Sequence, residues 1–163
     1  GGIGKGLAIR WAAEQIAPYC SEFVIDAGGD CIVRGDGPEA DGWHVGVEDP
    51  LGGSRPVVVL ALRNSACATS SIRLRNWTVG GKPAHHLIDP RTGRPGGAGL
   101  LSVTVIGADP AEAEIWSKVL FLHGRDGIAQ AAADRSLPAI WIHQDGGVAM
   151  SDAARPFVIW TAA

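Results

Sequence analysis

The organisation of the chain is clearest in residues 100–124, LLSVTVIGADPAEAEIWSKVLFLHG, where a strand is followed directly by a helix. Residues 100–107 form an apolar run rich in β-branched side chains, which is typical of a strand. Residues 108–124 are predicted to form a helix that ends at Gly124, since glycine is common just past a helix C-terminus. This unit predicts a sheet with helices packed against it.

The segments on either side of this unit extend the same architecture. Residues 7–19 repeat apolar side chains at helical spacing from Ile9 to Ile16, and they predict an amphipathic helix that Pro18 ends. A third helix is predicted over residues 126–134. Short β-rich runs predict antiparallel strands and a closing hairpin at residues 21–35, 42–50, 55–63, 138–151 and 155–160. The fold class is therefore α+β, a single unit over residues 1–163 with a largely antiparallel sheet packed with helices.

Composition narrows the class of protein. The chain has 163 residues, of which 46% are hydrophobic and 19% charged, and this balance predicts one globular domain. A net charge of −3 without any basic stripe argues against nucleic acid or an anionic membrane surface as a partner. No apolar run reaches the length of a transmembrane helix. The three cysteines Cys20, Cys31 and Cys67 contain no CxxC pair, so small buried thiols are expected in place of a disulfide framework or a zinc site.

A polar cluster, HHLIDPRTGRP at residues 85–95, lies between apolar runs. Its Asp-Pro and Thr-Gly pairs are ordinary turn residues, because proline presets φ and glycine accepts a positive φ. A turn alone does not explain His85 and His86.

Each of two glycine-rich segments allows two interpretations, one as a ligand site and one as a purely structural feature. GGIGKG, residues 1–6, opens the first helix with Lys5 in its first turn, where free N–H groups favour an anion such as phosphate. The alternative is a glycine-rich helix start that is needed for close packing. DAGGD, residues 26–30, could bring the backbone close to a ligand, or it could be a hairpin turn.

Glu114 and Lys118 lie four residues apart and hence on one face of the second helix. Their spacing alone favours a surface ion pair worth about 0.3–0.5 kcal/mol.

The motifs GGIGKGLAI, DAGGD, WHVGVEDP, ATSS (residues 68–71), HHLIDPRTGRP and SVTVIGADPAEAE occur here in one order and spacing. In that order and spacing the chain resembles the C-terminal half of the ApbE family of flavin transferases, almost continuously from residue 1 to about residue 124. The HxIDPxTGxP string is the most specific part of the match. The resemblance therefore predicts a single ApbE-like domain that lacks the family's N-terminal half.

The resemblance implies a defined reaction. Family members bind FAD, cleave its pyrophosphate with a divalent metal, usually Mg²⁺, and attach FMN through a phosphoester to a threonine of an acceptor flavoprotein, with release of AMP. By the same resemblance His86 is the catalytic histidine, Asp89 and Thr92 shape the loop, and His85 is a neighbour without that role. The residues implied to bind FAD are Lys5, Gly28, Gly29, Asp30, Thr69, Ser70, Ile88 and Asp89.

The implied metal ligands are the carbonyl of Gly2 and the side chains of Glu114, Ser117 and Lys118. On the second helix the family has an aspartate and, four residues on, a threonine, whereas this chain has Glu114 and Lys118. An ammonium has no lone pair for a cation. Lys118 therefore either contacts the pyrophosphate itself or marks weakened metal binding.

Smaller departures are Asp26, where the family commonly has Asn, and Ser71, where a glycine is usual. Two other functions stay open at this point: an FAD-binding relative that transfers nothing, and a metal-dependent FAD pyrophosphatase. Family members are often anchored on the outer face of the cytoplasmic membrane, but the sequence predicts neither compartment nor acceptor.

Overall fold

The computed structural model of the protein describes residues 2–162. Its helices are α1 Gly4–Ile16, α2 Pro110–Leu122 and α3 Gly124–Ala133, and a short 3-10 helix spans Asp152–Phe157. Its strands are β1 Phe23–Asp26, β2 Cys31–Arg34, β3 Trp43–Val47, β4 Val58–Leu62, β5 Ala66–Ser71, β6 Asn76–Val79, β7 Lys82–His85, β8 Ile88–Asp89, β9 Arg94–Pro95, β10 Leu100–Gly107, β11 Ala139–His143, β12 Val148–Met150 and β13 Val158–Thr161.

The strands form two sheets and two ribbons, and every strand pairing within residues 2–162 is antiparallel. The larger sheet has six strands in the order β1-β2-β5-β10-β11-β12, with the long β10 near its centre. The smaller sheet has three strands in the order β13-β4-β3. The hairpins β6-β7 and β8-β9 stand apart from both sheets as ribbons.

The six-stranded sheet separates two apolar layers. One face packs on the three-stranded sheet, where Ile106 and Ile140 meet Val58 and Leu60. The other face packs on α2 and α3, and Phe121 lies fully buried there. The helix α1 covers the β1-β2 end of the sheet and lies against α2. The α+β prediction is confirmed, with the antiparallel strands divided between two stacked sheets.

Local sequence explains where α1 and α2 begin and end. Helix α1 starts at Gly4, three residues before its apolar pattern, and ends at Ile16. The C-cap residue Ala17 still has helical backbone and donates its N–H to the carbonyl of Ala13, whereas Pro18 has no N–H with which to continue the helix. Helix α2 begins after Asp109, whose side chain accepts the N–H groups of Ala111 and Glu112.

Strand β5 and the two ribbons were not predicted. The residues ACATSS of β5 lack the branched and aromatic side chains by which strands are recognised. Their small size suits the close packing of α2 across this strand. Near the C-terminus, the predicted strand 155–160 is a 3-10 helix in its first half and a strand only from Val158.

The buried-thiol prediction holds for two of the three cysteines. Cys31 and Cys67 are buried cross-strand partners with their sulfur atoms 3.5 Å apart, and both are free. Cys20 is exposed, because it lies in the loop between α1 and β1 and not in a strand.

The helices within residues 2–162 do not include one with the length and apolarity required to cross a membrane.

Candidate active site

One face of α2 contacts three of the motif segments. Glu114, Ser117, Lys118 and Phe121 are spaced i, i+3, i+4 and i+7, so their side chains leave the helix on the same side. Glu114 contacts the start of α1, Ser117 contacts β5, Lys118 lies beside Gly2, and Phe121 contacts the first histidine of HHLIDPRTGRP. The helix α2 therefore brings together segments from the start and the middle of the chain, and its own Glu114 lies 108 residues from its partner Gly6.

Glu114 joins α2 to the first turn of α1. Its Oε2 atom accepts the backbone N–H of Gly6 at 2.7 Å, and its side chain is 2% exposed. The N–H groups of a first helical turn have no acceptor within the helix, and the helix dipole favours a carboxylate there. A Cβ atom on Gly6 would lie 2.5 Å from the Cα of Ala111. The close-packing reading of the glycine-rich helix start is thus confirmed at Gly6.

Lys118 lies between Glu114 and Gly2. Its Nζ donates to the carbonyl oxygen and to Oε1 of Glu114, both at 3.1 Å. A Cβ built on Gly2 would lie 3.7 Å from Lys118 Cδ, so the lysine stem runs alongside the residue that precedes α1. The ion pair expected from spacing is present, but its carboxylate is buried and not on a solvated face.

Ser70 and Ser117 form a hydroxyl pair under the site. Their Oγ atoms are 2.8 Å apart, and the Ser117 hydroxyl also donates to the carbonyl of Glu114 at 3.0 Å. Thr69 points to the opposite face of the sheet, because side chains alternate along a strand, and its Oγ1 pairs with Thr104. The structure therefore separates the side chains of Thr69 and Ser70, which the resemblance had placed at one site.

Asp30 connects the DAGGD turn to α1 and β5. Its Oδ2 is 2.8 Å from Nζ of Lys5, and its Oδ1 accepts the backbone N–H of Thr69 at 3.0 Å. The carboxylate is 2% exposed and the lysine 47% exposed. A buried charge needs such partners, because desolvation of an unpaired carboxylate is costly.

The DAGGD segment is a hairpin turn between β1 and β2, as one of its two readings predicted. Gly28 and Gly29 have φ of 67° and 90°, which glycine accepts without strain. The Oδ1 of Asp26 accepts the N–H of Gly28 at 3.0 Å, so the aspartate serves the turn as an asparagine would. No atom would meet a Cβ on either glycine within 4 Å in the described part of the chain. The turn is therefore open on its outer side.

HHLIDPRTGRP folds into the β8-β9 hairpin at the C-terminal end of α2. Asp89 accepts the backbone N–H of Arg91 and makes a two-pronged ion pair with the Arg91 guanidinium at 2.9 and 3.0 Å. The Arg91 hydrogen bonds hold the pKa of Asp89 below its usual value. Thr92 Oγ1 accepts the N–H of Arg94 at 3.3 Å. Asp89 and Thr92 thus shape this turn, while the side chain of Ile88 is 44% exposed beside it.

The adjacent histidines differ in environment. His85 turns inward, with its ring edge-on to Phe121 at a centroid distance of 5.9 Å. Burial lowers the pKa of His85. This effect outweighs that of a hydrogen bond with the backbone of Gly96, which raises the pKa. His86 is exposed, and its Nδ1 lies 3.3 Å from the carbonyl oxygen of Arg75. A proton on Nδ1 can donate to that carbonyl, which leaves Nε2 as an acceptor.

The four residues implied as metal ligands do not fit Mg²⁺ as they stand. Both oxygens of the Glu114 carboxylate have protein partners, and one of them is an ammonium. The Ser117 hydroxyl is fully buried and engaged with Ser70 and the Glu114 carbonyl. Mg²⁺ requires several oxygen ligands in an octahedron. Within residues 2–162 there is also no group of three His, Cys, Asp or Glu side chains that could hold a metal ion.

Comparison with known proteins gives the family. The sequence profile of the ApbE family matches residues 1–141, so the chain belongs to the ApbE family. A Klebsiella pneumoniae protein named FAD:protein FMN transferase is 30% identical over 146 residues, which are 88% of this chain and 42% of that protein. A protein of the same name from Escherichia coli is 29% identical, with the same coverage of both chains.

Solved structures share the fold. The ApbE protein from Thermotoga maritima superposes with a TM-score of 0.84 at 28% identity, covering 96% of this chain and 52% of that one. The Pseudomonas stutzeri flavinyl transferase ApbE superposes with a TM-score of 0.83 at 19% identity, covering 99% and 51%. The chain thus spans about half the length of the relatives it matches.

Sequence reasoning did not identify the partners of three residues that hold the site together. Gly6 accommodates the α1–α2 contact, Arg91 fixes Asp89, and Phe121 packs on His85. The closely spaced Asp89 and Arg91 could have suggested their pairing. The glycine-rich start of α1 suggested close packing at Gly6 but not its partner Ala111, and no local pattern reveals the contact of Phe121 with His85.

Proposed function

We propose that this protein is an FAD:protein FMN transferase, which moves FMN from FAD to a threonine of an acceptor flavoprotein and releases AMP. The observation that carries the proposal is the exposed His86, held at the α2 end of the site with Nδ1 beside a backbone carbonyl. Membership of the ApbE family and the names of the relatives support it.

The proposed step is a displacement at phosphorus. The threonine oxygen forms a bond to the FMN phosphorus of FAD, and the bond from that phosphorus to the AMP oxygen breaks, with AMP taking the electron pair. His86 accepts the threonine proton through Nε2, which its Nδ1 contact with Arg75 leaves free for this purpose. An imidazole suits this role because its ordinary pKa lies close to neutral pH.

The FAD itself is proposed to lie along the segments that α2 brings together. Lys5 carries an exposed ammonium at the start of α1, where a phosphate is favoured by charge and by the helix dipole. The open DAGGD turn, with Gly28, Gly29 and the buried Asp30, lies next to that ammonium. Ile88 offers an exposed apolar side chain for the flavin beside the turn of Asp89. Ser70 is proposed to act by holding Ser117 in place, and Thr69 through its backbone N–H to Asp30.

The divalent metal that the family resemblance implies has no step in this proposal. Of its candidate ligands, Glu114, Ser117 and Lys118 are engaged with one another, and Gly2 lies beside the Lys118 stem.

The test is a product analysis after incubation with FAD, with and without an acceptor flavoprotein that has a target threonine. A transferase gives AMP and an acceptor with covalently bound flavin, and it gives neither with an acceptor whose threonine is replaced by valine. An FAD pyrophosphatase would give FMN and AMP without any acceptor. A protein that only binds FAD would give no AMP in either case. The last two results would each overturn the proposal.

A further inference from the structure

Two lysines reach outward from buried carboxylates at the start of α1. Lys5 Nζ lies 2.8 Å from Asp30, and Lys118 Nζ lies 3.1 Å from Glu114. Both carboxylate side chains are 2% exposed, whereas the lysine side chains are 47% and 29% exposed. The carboxylates therefore act as fixed anchors, and the ammonium groups are the parts of each pair that a ligand can reach.

The Lys118 pair occupies the position where the metal ligands were expected. Glu114, Ser117 and Gly2 all lie around the lysine side chain or its carboxylate partner. A divalent cation bound to Glu114 would have to displace the ammonium or approach its like charge. The buried carboxylate would lose its partner in the first case, which is costly.

The Lys118 ammonium retains capacity for an anion. A lysine has three N–H donors, and two of them go to the carbonyl and the carboxylate of Glu114. Within the described part of the chain the third is left for a ligand. Glu114 itself is held by the Gly6 N–H, so the ammonium position is fixed through α2 to the start of α1.

We infer that the Lys118 ammonium is a built-in cation that contacts the pyrophosphate of FAD, together with Lys5, and replaces a divalent metal at this site. The inference rests on the proposed FAD substrate. A lysine acts on phosphate as a compact point charge, so it can neutralise charge there without a metal.

The experiment measures FAD binding by flavin fluorescence, once in EDTA and once in excess Mg²⁺. The protein is expected to bind FAD in EDTA with an affinity within about threefold of that in Mg²⁺. Lys118→Met should weaken binding in EDTA by at least about tenfold, the scale of a lost charge-assisted hydrogen bond. Lys118→Arg keeps the charge and should retain most of the affinity.

Two further variants control for folding and for general charge. Lys82→Met removes a lysine from the exposed β7 strand, and it should bind FAD as the unaltered protein does. The double variant Glu114→Gln with Lys118→Met removes both charges, so it leaves no buried carboxylate unpaired. Its thermal melting curve should show that it folds, and its affinity for FAD in EDTA should be as low as that of Lys118→Met.

The outcomes distinguish this inference from the proposed function. FAD binding that requires Mg²⁺ in the unaltered protein would overturn the built-in cation and leave the transferase proposal standing. Equal affinities of the unaltered protein and Lys118→Met in EDTA would do the same. Suppose that FAD binding in EDTA depends on Lys118 but no AMP is released when an acceptor is present. That result would support the role of the Lys118 ammonium and contradict the transferase proposal. An absence of FAD binding under both conditions would overturn both.

Discussion

The carboxylate of Glu114 accepts the backbone N–H of Gly6 at 2.7 Å, and this bond joins α2 to the first turn of α1. The contact requires a residue without a side chain, because a Cβ on Gly6 would meet the backbone of Ala111 at 2.5 Å. The position of Lys118 depends on the same carboxylate. The same carboxylate therefore both joins the two helices and positions Lys118 in the candidate site.

Gly6→Ala should destabilise the protein by about 2 kcal/mol or more, because the methyl group forces the two helix backbones apart. Gly4→Ala is the matched control in the same helix, where a Cβ would meet nothing within 4 Å. Alanine has the better helix propensity, so the control should be neutral or more stable by up to about 1 kcal/mol. Urea unfolding measures both, and equal stabilities of the two variants would contradict the close contact.

Asp109 should contribute stability that depends on pH. Burial alone would raise the pKa of Asp109, but the Arg10 hydrogen bonds and the N–H groups of Glu112 and Ala111 outweigh it and lower the pKa. A lowered pKa gives stability that is present above the unfolded value of about 3.9 and is lost as pH falls through the folded value.

Asp109→Asn keeps the N-cap oxygen of α2 and removes the charge that pairs with Arg10 at 2.6 Å. At pH 7 it should be less stable than the unaltered protein by about 1 kcal/mol or less. The difference should shrink as pH falls below about 4. Asp152→Asn, at a carboxylate that is 98% exposed, is the matched control. A difference that persists unchanged at low pH would exclude the ion pair as its cause.

The three thiols should separate by reactivity. Cys20 is exposed, so a disulfide reagent such as Ellman's reagent should label it rapidly in the native protein. Cys31 and Cys67 lie in the core, and the Cys31 hydrogen bond together with burial raises the pKa of the Cys67 thiol well above its usual value. One fast equivalent is expected in buffer and three in denaturant. Rapid native labelling of Cys20→Ser would contradict the buried pair.

The neighbouring histidines provide a matched comparison for catalysis. His86→Ala should reduce FMN transfer by about 10²–10⁴-fold, the scale of a lost general base, while FAD binding persists. His85→Ala should reduce transfer much less, because His85 packs inward on Phe121. Its main effect should be on stability. AMP release over time measures the transfer activity of each variant. Equal activities of the two variants would remove His86 from its proposed role.

Much of the fold could be predicted because the strands and helices of residues 100–151 have clear apolar patterns. Strand β5 could not be predicted, because its small residues have low strand propensity. Their size instead suits the close packing of α2 across the strand. Spacing identified the Glu114–Lys118 pair, but its burial depends on Gly6, which lies 108 residues from Glu114. The division of Thr69 and Ser70 between two faces became visible only once β5 was known to be a strand.

The most direct test of the transferase proposal is the intact mass of the acceptor flavoprotein after incubation with FAD and this protein, measured together with AMP in the same sample. The account predicts that the acceptor gains one FMN through its threonine for each AMP released, and that His86→Ala slows both by about 10²–10⁴-fold while His85→Ala slows them much less. AMP release with an unchanged acceptor mass would contradict it.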